Sequence, residues 1–173
     1  GDVLGVGCAE TSYGRILAER ARNDGIRYLA AEFSPVMADQ FRERHPWVEV
    51  LDRSAEEMDI CERTFDHILV HRSHQYLRDP GPLLGQLIQR LKPGGKLLVV
   101  EQVGFGLVRS VPHRAQREGL ALAGEQPYSQ MRETGDVVEN SGLRLVQRGR
   151  IDPISRNPFF LHYEKSSGAE VSL

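Results

Sequence analysis

The sequence predicts an α/β fold: a doubly wound, mostly parallel seven-stranded sheet with a C-terminal antiparallel hairpin. Apolar runs of strand length alternate with segments of helical periodicity, as in a parallel sheet covered by helices. The early runs are apolar at nearly every position, which is typical of strands buried on both faces. A link of about six residues joins the last two runs and is too short for a parallel crossover, so these runs should form a hairpin.

Each predicted element has a local signal. Gly25 ends the first helical segment, Ser34 can cap the next helix with Pro35 in its first turn, and Gly142 precedes the closing hairpin. We expect strands at residues 2–7, 26–33, 47–51, 65–71, 96–102, 143–151 and 158–165. Helices should follow the first strand and occupy residues 35–45, 82–91 and a stretch near 130–140, and the KPGG turn at 92–95 should precede the fifth strand. Residues 1–165 then form one domain, and 166–173 form a flexible tail.

Composition limits the classes of function. The 173 residues, of which 40% are hydrophobic, suffice for one core, so two domains are not expected. A formal charge of −2 gives no overall attraction to phosphate backbones or anionic membranes, so nucleic acid is not an expected partner. Cys8 and Cys61 have neither disulfide-framework nor zinc-site spacing, so we expect no metal and a reducing cytoplasm. No apolar run reaches the ~20 residues that span a bilayer, so no membrane is expected, while a homo-oligomer stays open.

A ligand site should lie at the carboxyl ends of the strands, where ligands bind in open α/β sheets. Gly5 and Gly7 allow a tight turn and a close approach of the backbone to a ligand. Glu32 ends the second strand, where an acid can accept hydrogen bonds from both hydroxyls of a ribose. A structural turn and a solvated strand-end carboxylate are the alternatives for these residues.

The glycine pattern argues against a dinucleotide. That ligand favours G-x-G-x-x-G, but Glu10 stands at the third glycine position, where a carboxylate would repel a pyrophosphate. A ligand with a ribose and no phosphate fits better. S-adenosylmethionine is such a ligand, because its sulfonium and amino groups are cationic and its only anion is a carboxylate.

Five segments, taken in order, resemble the class I S-adenosylmethionine-dependent methyltransferases, of the small-molecule type known as methyltransferase domain 11. DVLGVGCAETSYG resembles the first motif of that family, EFSPVM the end of its second strand, and RSAEEM the segment after its third strand. FDHILVHRSHQYLRDP and LLGQLIQRLKPGGKLLVVEQ resemble the fourth strand, the next helix and the fifth strand. The resemblance covers nearly the whole chain to about Lys165. It implies a Rossmann-like methyltransferase fold, S-adenosyl-L-methionine as cofactor and transferase activity.

The resemblance also implies roles for individual residues. The methionine part of the cofactor would lie against Gly5, Gly7 and Cys8 with His71 beside it, and Glu32 would hold the ribose. The remaining implied contacts are to the adenine: its faces would meet Phe33 and Met37, and its edge would meet Ser54 and Ala55. Phe33 and Met37 could equally be core residues, since their spacing also fits a strand and a helix packed inward.

The chain departs from the family pattern at several positions. The acid usual in the first motif is Gly5 here, the third glycine is Ala9, and the aspartate on the adenine side is Ser54. The helices that usually precede the first strand are lacking, so the cofactor crevice is expected to be incomplete at that side. These departures leave open a non-catalytic nucleoside-binding or regulatory module as the alternative to an enzyme.

Acceptor binding is expected on the far side of the crevice. His71 and His74 follow the fourth strand, and a histidine there could act as the general base for a hydroxyl acceptor. Glu101 closes the fifth strand, and the long connection at 104–126 could receive an acidic small molecule. Its basic residues are Arg109, His113, Arg114 and Arg117. The competing interpretations are a surface or structural role for the two histidines and Glu101, and a solvated helix face for the connection.

Overall fold

The computed structural model describes residues 1–9, 11–52, 63–71, 80–101, 138, 140–150 and 159–167. In chain order the elements are β1 (Asp2–Val6), α1 (Ser12–Asp24), β2 (Arg27–Ala31), α2 (Pro35–Arg44), β3 (Glu49–Leu51), β4 (Phe65–His71), α3 (Pro80–Gln89), β5 (Leu91–Glu101), β6 (Leu143–Arg150) and β7 (Phe159–Lys165). Of the helix expected at 130–140, residues 138 and 140 are described, and both are helical.

The sheet has seven strands in the order β3-β2-β1-β4-β5-β7-β6. The first five strands pair in parallel, whereas β7 is antiparallel to both β5 and β6. The predicted fold class and the closing hairpin are therefore confirmed. Strand order reverses between β1 and β4, and ligands of open α/β sheets bind in the crevice beside such a reversal.

Two apolar clusters cover opposite faces of the sheet. On one face, Ala18 of α1 and Phe41 of α2 pack with Val3 and Tyr28. On the other face, α3 contributes four buried side chains to a cluster that contains Leu4 and extends to β7. Because successive residues of a strand point to opposite faces, Val3 and Leu4 belong to different clusters, as expected for a buried parallel sheet.

The helix ends match the sequence signals. The side chain of Thr11 accepts a hydrogen bond from the Gly14 N–H at the start of α1, and Gly25 ends that helix with φ of 67°. Ser34 caps α2 by accepting from the Met37 N–H, and Pro35 occupies the first turn. Among the helices of the described residues, none is long and apolar enough to cross a membrane.

Most strand boundaries differ from the prediction, and two of these differences have a clear structural cause. The third strand begins at Glu49 because Val48 donates to the His45 carbonyl in a turn instead of to a neighbouring strand. The fifth strand begins at Leu91, so the KPGG segment lies within it. Leu91 pairs with Phe65 and Lys96 pairs with His67, so the intervening residues bulge out of the ladder around Gly94, whose φ is 74°.

A charged cluster joins the amino ends of the central strands, opposite to the expected site. Lys92 lies 2.9 Å from Asp2 and 3.0 Å from Asp66, and Asp2 also binds Arg27. The hydrogen bond from Lys92 lowers the pKa of Asp2, and hydrogen bonds from the Asp2 N–H and from Lys92 lower the pKa of Asp66. The cluster therefore holds β2, β1, β4 and β5 in register at this end.

Asp66→Asn should lower the free energy of unfolding at neutral pH by about 0.5–1 kcal/mol, the range for a mostly exposed ion pair. The folded-state pKa of Asp66 is below its usual value, so this stabilisation is complete above the usual value and is lost as pH falls through the folded pKa. Urea denaturation near neutral pH and at about pH 2.5 measures it. Asp24→Asn, which removes only an exposed pair with Arg20, is the control. A deficit that is unchanged in acid would contradict this account.

Candidate functional site

The turn after β1, which begins at Gly7 and is called the glycine turn below, is held by backbone and side-chain hydrogen bonds. Gly7 has φ of 67°, and its N–H donates to the Ala31 carbonyl at 2.9 Å, so the turn is tied to the end of β2. The Cys8 carbonyl accepts from the Thr11 N–H at 3.0 Å and from the Thr11 hydroxyl at 2.6 Å. A side chain other than glycine at position 7 would be strained at this φ. These hydrogen bonds therefore join the described residues of the turn to the end of β2 and to the start of α1.

Gly14 allows the start of α1 to approach this turn, a role that was not predicted from the sequence. A Cβ added at Gly14 would lie 2.0 Å from the Cys8 carbonyl oxygen and 2.9 Å from that of Ala9. Both obstacles are backbone atoms, so they cannot move aside like a flexible side chain. The sequence signal was a glycine inside a helical segment, three residues after the cap Thr11.

Glu32 lies directly after β2 and is buried, with only 2% of its surface exposed. Its N–H donates to the Leu51 carbonyl at 2.8 Å, and its Oε1 accepts from the Ser34 N–H at 3.2 Å. The solvated strand-end carboxylate is thus excluded as an explanation of this residue. The carboxylate lies at the amino end of α2, where the helix dipole favours a negative charge.

Phe33 and Met37 are the predicted adenine contacts, and neither is a core residue. Phe33 directly follows Glu32 in the chain and is 43% exposed, and Met37 lies in the first turn of α2 and is 37% exposed. The interpretation of these residues as inward-packed core is therefore wrong. Each of these side chains leaves part of its apolar surface exposed.

His71 ends β4 and is buried, with 6% of its surface exposed. Its ring lies 5.1 Å from that of Tyr13, measured between centroids, at an angle of 52°. Tyr13 comes from the first turn of α1 and was not singled out in the sequence. The contact places His71 beside the glycine turn and excludes a role as a plain surface residue.

The side chain of Cys8 faces the interior, although the residue belongs to the turn. Its Sγ lies 3.5 Å from the Val6 carbonyl oxygen and 3.8 Å from that of Leu69, and the residue is fully buried. Burial raises the pKa of the thiol far above its usual range, so no thiolate nucleophile forms here. The thiol therefore faces the core and not the crevice.

Several predicted residues lie outside the described part of the chain. Glu101 ends β5 and pairs with Phe159, but its side chain is not among the described ones. The others are Glu10, Ser54, Ala55, His74, Arg109, His113, Arg114 and Arg117. Among the described residues, no group of His, Cys, Asp and Glu side chains could hold a metal ion.

Two cavities are lined by residues outside the turn after β1. One of about 590 Å³ is lined by Asp2, Arg27 and Phe65, which begin their strands, so it opens at the amino ends and not at the edge where ligands bind. The other, of about 520 Å³, is mostly apolar. It is lined by Leu17 of α1, Leu98 of β5 and Phe160 of β7.

Gly14→Ala should lower the free energy of unfolding by about 1–3 kcal/mol, because the new methyl group overlaps two backbone carbonyls of the turn. Gly85→Ala is the matched control: it also lies in a helix, but its added Cβ meets nothing within 4 Å. That change should stabilise the protein by about 0.5–1 kcal/mol through backbone entropy. Urea denaturation of both variants measures the effect, and equal stability of the two would show that the approach of α1 is not close.

Comparisons with known proteins agree with this geometry. A family model described as "Methyltransferase domain" matches residues 4–99, more than half of the chain. No curated protein matches the sequence significantly. A TehB-like SAM-dependent methyltransferase from Corynebacterium glutamicum has 18% identity and a TM-score of 0.66, with 95% of this chain and 80% of that chain covered.

Two further solved structures share the fold. A SAM-dependent methyltransferase from Aquifex aeolicus has 17% identity and a TM-score of 0.66, covering 94% of this chain and 81% of that one. A phosphoethanolamine N-methyltransferase from Haemonchus contortus, solved with phosphomonomethylethanolamine and S-adenosylhomocysteine, has 14% identity and a TM-score of 0.70, covering 95% and 48%. The chain belongs to the methyltransferase domain family, and it is a class I methyltransferase that uses S-adenosylmethionine as its cofactor.

Proposed function

We propose that this protein transfers the methyl group of S-adenosylmethionine to a small-molecule acceptor, with the cofactor bound across the carboxyl ends of β1, β2 and β4. The observation that carries the proposal is that a hydrogen bond joins the glycine turn to the end of β2, directly before the buried Glu32. The Gly7 N–H binds the last carbonyl of β2, and Glu32 is the next residue. The two groups that would hold opposite parts of a nucleoside are thus fixed relative to each other.

Glu32 is suited to bind a ribose. Its carboxylate is buried, one oxygen is held by the Ser34 N–H, and two oxygens together can accept several hydrogen bonds. Hydrogen bonds to an ionised group in a dry site are shorter and stronger than neutral ones. In our proposal, Glu32 accepts from the two ribose hydroxyls and thereby sets the position of the whole nucleoside.

The adenine and methionine parts follow from the position of the ribose. Phe33 and Met37 present exposed apolar surface on the α2 side, where the adenine ring would lie. On the other side, the methionine part would contact the backbone of Gly5, Gly7 and Cys8. The contacts of Ser54 and Ala55 with the adenine edge are part of the same proposal.

The chemistry needs alignment more than activation. When bound, S-adenosylmethionine supplies a methyl group on a positively charged sulfur, which is a good leaving group. The protein's part is to orient the cofactor and the acceptor in line and to exclude water. His71, buried against Tyr13 at the end of β4, would lie beside the methionine part. We propose His71 or His74 as the group that takes the proton of a hydroxyl acceptor.

We propose that the acceptor is small and acidic. The connection at 104–126 carries Arg109, His113, Arg114 and Arg117, and it follows the β5 end at Glu101 on the acceptor side. One fold neighbour is described in complex with phosphomonomethylethanolamine, a small molecule with a phosphate group. A basic segment at this edge would bind such an anion and bring its reacting atom to the methyl group.

Glu32→Gln should raise the dissociation constant of S-adenosylhomocysteine by about 10- to 100-fold, because it replaces the charged acceptor of two hydrogen bonds. Glu164→Gln on β7, which carries an ion pair with Arg144, is the control and should leave binding unchanged. Calorimetric titration measures the constants, with NAD as a ligand that should not bind to the wild type. Unchanged affinity in folded Glu32→Gln protein, or saturable NAD binding without S-adenosylhomocysteine binding, would contradict the proposed site.

A triple variant with Arg109, Arg114 and Arg117 replaced by alanine should raise the KM for an acidic acceptor about tenfold and leave S-adenosylhomocysteine affinity within a factor of two. Loss of binding made equally in the ground and transition states raises KM and spares kcat. Release of S-adenosylhomocysteine with small acidic amines and alcohols reads turnover. Arg20→Ala, an exposed change on α1, is the control. Loss of the cofactor with an unchanged acceptor KM would assign the basic segment to the cofactor side.

A further inference from the structure

The hydroxyl of Tyr28 occupies the space beside Gly5. A Cβ added at Gly5 would lie 2.7 Å from Tyr28 Oη, 3.0 Å from its Cε2 and 3.2 Å from the Cβ of Cys8. Position 5 is where the first methyltransferase motif usually has an acid, and here a side chain would require the phenol of Tyr28 to shift. Gly5 and Tyr28 are thus a complementary pair, one on β1 and one on β2.

The phenol is fixed in place and points along the strands toward the site. Its ring packs edge-on against Phe41, with 6.5 Å between the centroids. Tyr28 pairs with Val3, and Gly5 is two residues farther along β1, so the hydroxyl has reached toward the carboxyl ends. Residues two apart on a strand share a face, so Glu32 follows Tyr28 on the same face at the end of β2.

The hydroxyl is buried, and among the described residues it has no hydrogen-bond partner. Such a group costs about 1–3 kcal/mol of desolvation, so a native structure rarely keeps one without a reason. Burial, together with the nearby Cys8 and Glu32, raises the pKa of Tyr28 well above its usual range. The hydroxyl therefore stays protonated and is available as a hydrogen-bond donor.

We propose that Tyr28 is a positioning residue of the cofactor site. Its hydroxyl occupies the space beside Gly5 that a side chain at this position would fill. In the cofactor-bound state this hydroxyl donates a hydrogen bond to the carboxylate of Glu32. This bond orients the carboxylate for the two ribose hydroxyls, and it gives the buried hydroxyl the partner that it lacks among the described residues. The inference rests on the proposed function, since it assigns the ribose to Glu32.

The test is Tyr28→Phe, measured for stability without cofactor and for S-adenosylhomocysteine binding. Phenylalanine keeps the ring and removes only the hydroxyl, so the cofactor-free protein should melt at the same temperature or a higher one. The dissociation constant should rise about tenfold, as expected for a lost hydrogen bond to a charged group. Tyr163→Phe, at a buried tyrosine of the opposite apolar cluster, should leave the dissociation constant within a factor of two.

A double-mutant cycle shows whether Tyr28 acts through Glu32. In the Glu32→Gln background, Tyr28→Phe should change the dissociation constant by less than a factor of two. A full tenfold loss in that background, or no loss in the wild-type background, would overturn the inference alone. Absence of S-adenosylhomocysteine binding by the wild type would overturn the proposed function together with the inference.

Discussion

The site depends on two backbone hydrogen bonds that continue the parallel ladder beyond the strand ends. The Gly7 N–H binds the Ala31 carbonyl, and the Glu32 N–H binds the Leu51 carbonyl. The first bond joins the turn after β1 to β2, and the second joins the end of β2 to β3. Together they link the turn after β1 and the backbone of Glu32 to one edge of the sheet, formed by the carboxyl ends of three strands.

Close packing around these bonds explains why small residues stand where they do. Gly7 adopts a positive φ, Gly14 admits the Cys8 carbonyl, and Gly5 admits the phenol of Tyr28. At Gly14 and Gly5 the absence of a side chain lets a backbone carbonyl or an aromatic ring approach within contact distance. The departure from the family pattern at Gly5 is therefore coupled to a residue on another strand, and it does not by itself indicate a degenerate site.

The sequence predicted most of the fold because strand and helix signals are local. Apolar runs and the helix signals at Ser34 and Gly25 lie within a few residues of the elements that they define. The bulge around Gly94 was missed because a Pro-Gly-Gly segment is typical of a turn. The segment belongs to β5 only because the residues on both sides of it pair with β4. Local pattern carries no information on such pairing.

Site residues were predictable in position but not in orientation. Glu32 and His71 were assigned from their places at strand ends, and both lie there, but their burial depends on neighbours from α1 and α2. The inward side chain of Cys8 and the reach of Tyr28 across to Gly5 are tertiary contacts. No spacing in the chain distinguishes a tyrosine that packs wholly in a core from one whose hydroxyl lies beside a glycine of the neighbouring strand.

Binding of the cofactor at the carboxyl edge of β1 and β2 can be measured by titrating ¹⁵N-labelled protein with S-adenosylhomocysteine and following the amide chemical shifts in NMR spectra. We expect saturable shifts for Gly7, Glu32 and Ser34, while the amides of Asp2 and Arg27 at the opposite edge stay unchanged. Shifts confined to Asp2, Arg27 and their neighbours around the amino-end cavity would contradict it.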